Sequence, residues 1–224
     1  MIKNILNLGD AALYCDFGTE VNKQINSEVI KYFNTIREQK INGINNLTPS
    51  YNKLIISYDL KVTNYKEIKD KIEKLNVAEA LKTNNKKIEI PVCCDPSFSL
   101  DMERLENKLN LTKEKILENF FNKEFFCYMT GFIAGMPFLG DLDENMRVQR
   151  LETPRVKVPK GSVGITEQFA DIYTFESPGG WNIIGNTPLE VFDSSKEIDP
   201  NLINPGDTVK FKQISLEEYK NYNE

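Results

Sequence analysis

The stretch from Gly131 to Pro188 constrains the fold more than any other part of the chain. It contains Gly131-Phe-Ile-Ala-Gly-Met-Pro-Phe-Leu-Gly140, then Thr153-Pro-Arg-Val-Lys-Val-Pro-Lys-Gly-Ser-Val163, then Ser177-Pro-Gly-Gly-Trp-Asn-Ile-Ile-Gly-Asn-Thr-Pro188. Glycine permits positive φ and proline fixes φ, so repeated use of both beside aromatics shapes loops, not long regular elements. From Phe125 onward short β-like runs recur between such turns, at 125–130, 162–166, 170–175, 182–184, 190–192 and 208–213. Evenly spaced short strands predict a β-barrel or sandwich. Loops carried on a rigid scaffold are where binding and catalytic groups concentrate, although Pro-Gly clusters also punctuate any antiparallel β domain.

Upstream the pattern is different. Residues 11–17 read as a short strand, and apolar residues at Val21, Ile25, Val29, Tyr32, Phe33 and Ile36 lie on one helical face. A weaker strand at 43–47 and a β-former-rich strand at 53–59 follow. Asn64 is placed to cap a second helix over 65–75, and 86–94 reads as a further strand. This order of strand, helix, strand, strand, helix, strand is the split βαβ or ferredoxin-like arrangement. Two short helices are expected at 100–109 and 112–121, the second capped by Thr112. The sequence thus predicts an α+β chain in three parts: 1–95, a helical linker 96–122, and a β-barrel 123–224.

Charge and composition narrow the function. A net charge of -5 gives no basic face for nucleic acid. No run approaches a membrane span and nothing resembles a signal peptide, so a soluble, cytoplasmic protein without a membrane partner is expected. Cys15, Cys93, Cys94 and Cys127 have no Cys-x-x-Cys spacing and are expected reduced, acting as small apolar residues. There is no histidine, which excludes Ser-His-Asp and Cys-His triads within this chain, and His-based zinc sites. Proton transfer must fall to carboxylates, Lys, Tyr, Cys or a partner.

Several candidates carry chemistry. Gly180 to Thr187 has P-loop spacing, but Asn186 stands where lysine is required and Pro188 follows in place of a helix. A Walker-type site is therefore rejected, leaving either a backbone anion cradle or a tight turn that tucks in Trp181. Arg155, Lys157 and Lys160 sit on a stiff, proline-bounded segment, suited to a carboxylate or phosphate or equally to a charged edge strand; Arg155 is the favoured functional residue. Asp141, Asp143 and Glu144 suit a solvated turn better than a magnesium site.

The three ordered motifs, with Gly9-Asp-Ala-Ala-Leu13, resemble the family of the 5-oxoprolinase B subunit, also called allophanate hydrolase subunit 1, which includes Kip-type sporulation kinase inhibitors. The resemblance spans nearly the whole chain. It implies a ferredoxin-like first domain and a cyclophilin-like barrel. It also implies partner C and A subunits, and ATP with Mg²⁺ in opening 5-oxoproline to glutamate, with no tightly bound metal. The alternatives it implies are docking on a sensor histidine kinase or a part in allophanate or urea amidohydrolysis. Carried onto this sequence, the resemblance makes Arg155 and Ser162 catalytic candidates. It makes Lys160, Gly161, Pro178, Gly179, Gly180, Trp181 and Thr187 candidates for substrate or nucleotide binding. The family commonly has arginine at the positions of Asn182 and Asn186 and a histidine near Phe120, which this sequence lacks.

Overall fold

A computed structural model of the chain describes residues 1–77 and 85–222. The chain divides into two compact units, Met1–Asn84 and Asn85–Glu224.

The first unit runs β1 (Asn4–Asn7), β2 (Ala12–Asp16), α1 (Lys23–Gln39), β3 (Ile44–Pro49), β4 (Lys53–Tyr58) and α2 (Tyr65–Glu73). Asn22 starts α1 by accepting the Ile25 N–H at 2.9 Å, and Asn64 does the same for the Glu67 N–H of α2 at 3.1 Å. Residues alternate between buried and partly exposed along β2 and β4, as a sheet with one covered face requires. Leu13, Cys15, Leu54 and Ile56 from the strands meet Val29, Ile36, Ile68 and Ile72 from the helices in one apolar cluster. Each such side chain, fully buried, contributes about 1.5–3 kcal/mol.

The sheet order is β1-β2-β4-β3, and every pair is antiparallel. The expected strand–helix–strand–strand–helix run is present. The edge beside β2 is filled by β1, a strand of only four residues that periodicity does not single out.

The strand expected last in this unit, at 86–94, forms as β5 (Lys87–Cys93) but belongs to the second unit. It is a barrel strand because Ile90 and Val92, both fully buried, join the barrel's apolar cluster. The two predicted helices, α3 (Met102–Leu109) and α4 (Lys113–Asn122), also belong to this unit and are not a separate linker. They are followed by β6 (Glu124–Thr130), β7 (Pro137–Gly140), β8 (Arg155–Val158), β9 (Ser162–Thr166), β10 (Phe169–Ile172), β11 (Ser177–Gly179), β12 (Asn182–Asn186), β13 (Thr208–Ile214) and α5 (Leu216–Lys220). The segment 190–192 makes only an isolated bridge, Phe192 to Asn201.

Seven strands close into a barrel in the order β10-β7-β6-β13-β5-β12-β9, and β9 pairs with β10 to complete the ring. β5 and β13 run parallel over seven paired residues. Phe125, Cys127, Leu139, Val163, Ile165, Ile172, Ile184, Val209 and Phe211 fill the inside. Phe120 of α4 stacks on Phe211 with ring centroids 4.8 Å apart, so this helix packs against the barrel core. β8 and β11 stand apart from the ring as a two-stranded ribbon.

Candidate functional site

The ribbon marks where the three sequence motifs meet. β8 comes from the second motif and β11 from the third, and they pair with Gly179 opposite Arg155. The first motif arrives through Phe138 of β7, whose ring lies edge-on to Trp181 at 5.6 Å.

Beneath the ribbon the barrel wall is unusual. Ser162, Gly164 and Thr166 alternate with the core residues Val163 and Ile165, so they face out of the barrel, and all of them are buried. Asp171 and Tyr173 alternate with Ala170 and Ile172 in the same way, at 0% and 1% exposure. The covering layer is held by backbone. Val148 O accepts from both Glu167 N–H and Thr166 Oγ1, and Gly180 O accepts from Leu151 N–H.

Gly179 shows how close the approach is. A Cβ there would lie 2.1 Å from the Tyr173 hydroxyl. Only a residue without a side chain lets β11 sit on that phenol.

Arg155 donates from Nη2 to Asp101 Oδ1 at 2.6 Å. The other Asp101 oxygen accepts the Ile183 N–H at 2.7 Å, so this buried carboxylate is fixed at both ends. Arg155 Nη1 is buried and has no hydrogen-bond partner. The same holds for Asp171 Oδ2, Tyr173 Oη and Ser177 Oγ. Asp171 Oδ1 accepts the Gly164 N–H at 3.0 Å. Burial pushes the Asp171 carboxyl well above the usual carboxylate range, against the pull of that N–H and of the Arg150 guanidinium. Burial, and then Asp171, raise the Tyr173 phenol; the Trp181 backbone N–H favours its ionised form but lies outside hydrogen-bonding geometry.

The predicted site residues fall into two groups. Arg155, Gly179 and Trp181 lie around Tyr173 and Asp171, Gly180 faces Arg150 and Pro154, and Pro178 is exposed at the rim of the ribbon. Lys160, Gly161, Ser162 and Thr187 form a second group. There Thr187 N–H donates to Gly161 O, and Gly161 N–H donates to Tyr173 O. Gly161 has φ +81° and a Cβ would meet Thr187 O at 2.5 Å, so the backbone of this turn requires glycine. Ser162 is buried with its backbone engaged by Pro159 and Tyr173. Lys160 pairs with Glu190 at the surface.

The Gly180–Thr187 run holds β12, so its backbone amides serve the ladder instead of an anion cradle. The two asparagines in it have structural partners. Asn182 donates to Gln149 O and Ile165 O and accepts from Arg104 Nε at 2.9 Å. Asn186 joins Lys160 O to the Tyr219 hydroxyl. Among the acids at 141–144, Asp141 accepts from Tyr128 and Asp143 pairs with Lys123. All four cysteines are free and buried, and burial pushes Cys15 and Cys94 up to about 12.

Sequence reading misses Asp101, Asp171 and Tyr173. Asp101 lies outside every motif. Asp171 and Tyr173 carry a faint signal, two polar residues at strand spacing in an otherwise apolar run.

A closed barrel whose outer wall is buried under a Gly-Pro ribbon defines the class, and comparison with known proteins agrees with it. The chain belongs to the family described as the carboxyltransferase domain, subdomain C and D, which matches residues 3–203. Within that family it is 35% identical to the 5-oxoprolinase B subunit of Bacillus subtilis, over 98% of this chain and 96% of that protein. It is 33% identical to the protein of the same name from Haemophilus influenzae, over 93% of this chain and 96% of that one. The solved structure of TTHA0988 superposes with a TM-score of 0.82 at 26% identity, covering 92% of this chain and 40% of that one. A urea amidolyase from Saccharomyces cerevisiae is more distant, at 22% identity, and this chain spans 13% of its length.

Proposed function

We propose that this chain is the B subunit of an ATP-dependent 5-oxoprolinase, which opens the lactam of 5-oxoproline to glutamate together with C and A subunits. The observation that carries the reading is the end-to-end match with the Bacillus subtilis protein, which leaves no large part of either sequence unaccounted for. The urea-degrading alternative has weaker support, because the urea amidolyase match covers a small fraction of a longer protein. The finer fold labels belong to the same reading. A β1-β2-β4-β3 antiparallel sheet with two helices supports a ferredoxin-like unit whose first strand stands where the fourth is usual, and the seven-stranded ring supports a cyclophilin-like barrel.

The residues of this chain do not fit a nucleotide. The run with P-loop spacing is a strand, Lys157 and Lys160 are paired with Glu176 and Glu190, and no cluster of acids suited to a metal ion is present among the described residues. ATP with Mg²⁺ therefore enters the proposal as a co-substrate of the assembly, taken by another of its proteins, and no step of this chain runs through it. Among the described residues no helix is long and apolar enough to cross a membrane, which is compatible with an assembly in the cytoplasm.

The test is reconstitution. The chain is purified with its C and A partners, and glutamate release from 5-oxoproline is measured with and without ATP. ATP-dependent release that disappears when this chain is omitted is expected. No release from a verified complex of all three proteins overturns the proposal.

A further inference from the structure

Three guanidinium groups lie along residues 179–182 of the second unit. Arg155 stands opposite Gly179 in the ribbon. Arg150 lies against Gly180, where a Cβ would meet its Nε at 3.5 Å and its Nη2 at 3.6 Å. Arg104 of α3 donates from Nε to Asn182 Oδ1 at 2.9 Å. The Asn182 amide ties the last two together, because its nitrogen donates to Gln149 O, one residue before Arg150. Trp181 sits between the two contacts.

One of the three charges is neutralised within the fold. Arg155 Nη2 donates to Asp101, whose other oxygen accepts the Ile183 N–H, so both oxygens of that carboxylate are committed. Arg104 and Arg150 have no ion pair among the described residues, although Glu103 and Glu152 are close to them in sequence. Arg150 is exposed and Arg104 half-buried, and the Nη groups of both lack a protein partner. The lysines beside them are treated differently, since Lys157 pairs with Glu176 and Lys160 with Glu190. Two uncompensated guanidiniums held close together repel each other and focus a positive potential that draws in an anion.

Arg104 is also held in place before any ligand arrives. Its helix is anchored on β12 by Asp101, whose N–H donates to Ile183 O at 3.1 Å while its carboxylate takes the Ile183 N–H. Its Nε is fixed on Asn182, a fully buried amide. A donor ordered in advance loses little entropy on binding.

The donor pattern sets the ligand class. Guanidinium nitrogens only donate, in a planar fork that matches the oxygens of a carboxylate or a phosphoryl group. Two uncompensated positive charges match a dianion, whereas a lone carboxylate balances only one of them. We propose that Arg104 and Arg150 form a binding site for a dianionic phosphoryl group, with the Arg155–Asp101 pair as the brace that joins α3 to the ribbon. The group arrives either as free phosphate or carried on a small monoester. The site is separate from the covered Asp171–Tyr173 wall, where Gly179 lies directly on the Tyr173 hydroxyl. It does not depend on the hydrolase reading.

The single tryptophan reports on the site, since the residues on either side of it touch Arg150 and Arg104. The full chain is titrated with inorganic phosphate, methyl phosphate and acetate at constant ionic strength and about pH 8, above the second pKa of a phosphoryl group. Trp181 emission and, in parallel, the heat of binding are followed. Saturable binding of a phosphoryl ligand is expected, with acetate at least about tenfold weaker. Arg150→Gln removes no hydrogen bond of the folded chain and should weaken phosphate binding about tenfold or more. Arg104→Gln, checked for native circular dichroism, should do the same, and Arg104→Lys should recover only part of the loss because it keeps the charge without the fork. Lys212→Gln, on the exposed β5–β13 side, should leave binding unchanged.

Tighter binding of methyl phosphate assigns a carried phosphoryl group and tighter binding of inorganic phosphate assigns the free ion; either supports the site. No saturation by emission or heat overturns it, and so does binding that both glutamine variants retain in full. Acetate binding as tightly as phosphate overturns the phosphoryl assignment. Glutamate release by the reconstituted complex is a separate measurement, so the hydrolase reading stands or falls without this site.

Discussion

Two sides of the same barrel treat their outward residues in opposite ways. On the β5–β13 side, Lys87, Glu89 and Lys212 point into solvent, where Lys212 and Glu89 pair at 3.2 Å with both side chains more than half exposed. On the β9–β10 side the outward residues are also polar, but protein covers them. Water satisfies the first set at no structural cost. The second set has lost that water, and Asp171 and Tyr173 have received no full replacement. The contrast separates a polar surface that water satisfies from a polar surface that the fold has covered. Polarity alone does not distinguish them, since both walls are polar in sequence.

The contrast can be broken most severely at Asp101. Asp101→Ala leaves the Arg155 guanidinium without its anion and the buried Ile183 N–H without an acceptor. We expect a loss of about 3 kcal/mol in denaturant unfolding of the barrel unit, at the low end for a broken buried pair because Arg155 retains some water. A loss below about 1 kcal/mol would place this pair with the exposed ones.

Next comes Gly179→Ala, which drives a methyl into the Tyr173 hydroxyl and should cost about 1–3 kcal/mol by overpacking. Removing the nearest atom with Tyr173→Phe should recover part of that loss. A double-mutant cycle with no coupling would show that β11 does not rest on the phenol.

Asp171 gives a smaller effect that depends on pH. Its carboxyl is raised by burial in the folded state, while the unfolded value is about 3.9. The folded protein therefore binds the extra proton above about pH 4, and stability falls as pH rises towards the folded pKa. Asp171→Asn should flatten this fall between about pH 4 and pH 7, measured by unfolding midpoints across pH. A wild type and variant with parallel profiles would mean the carboxyl is not buried in solution.

The smallest effect belongs to the other side. Lys212→Ala should change stability by less than about 1 kcal/mol, and the change should shrink in high salt. A larger loss would erase the distinction between the two walls.

Much of the fold is legible in the residues. Apolar spacing marks both helices of the first unit, although only Asn64, and not Asn22, stands out as a cap in sequence. The barrel strands β6, β9, β12 and β13 stand out between Gly and Pro turns. The destination of β5 is not legible, because strand propensity gives a conformation and not a partner. Ile88, Ile90 and Val92 would suit either unit, and the parallel neighbour that captures them lies some 120 residues later. In the site, Arg155, Gly179 and Trp181 are readable because their motifs demand special backbone or charge. Asp171 and Tyr173 are not, because an Asp or Tyr on a strand is ordinary until something covers it. Asp101, at the start of α3, becomes meaningful only through its contacts with Ile183 and Arg155.

The place of β13 in the ring has a consequence for synthesis. It pairs with β5 on one side and β6 on the other, yet it is made some 80 to 120 residues after them. Until residues 208–214 leave the ribosome, β5 and β6 each keep an open edge that any other strand can join. The nascent chain is therefore exposed to misassociation throughout the interval between β6 and β13. A chaperone or an early-arriving partner protein would give its greatest benefit in that interval, by shielding two strand edges that the finished protein hides from view.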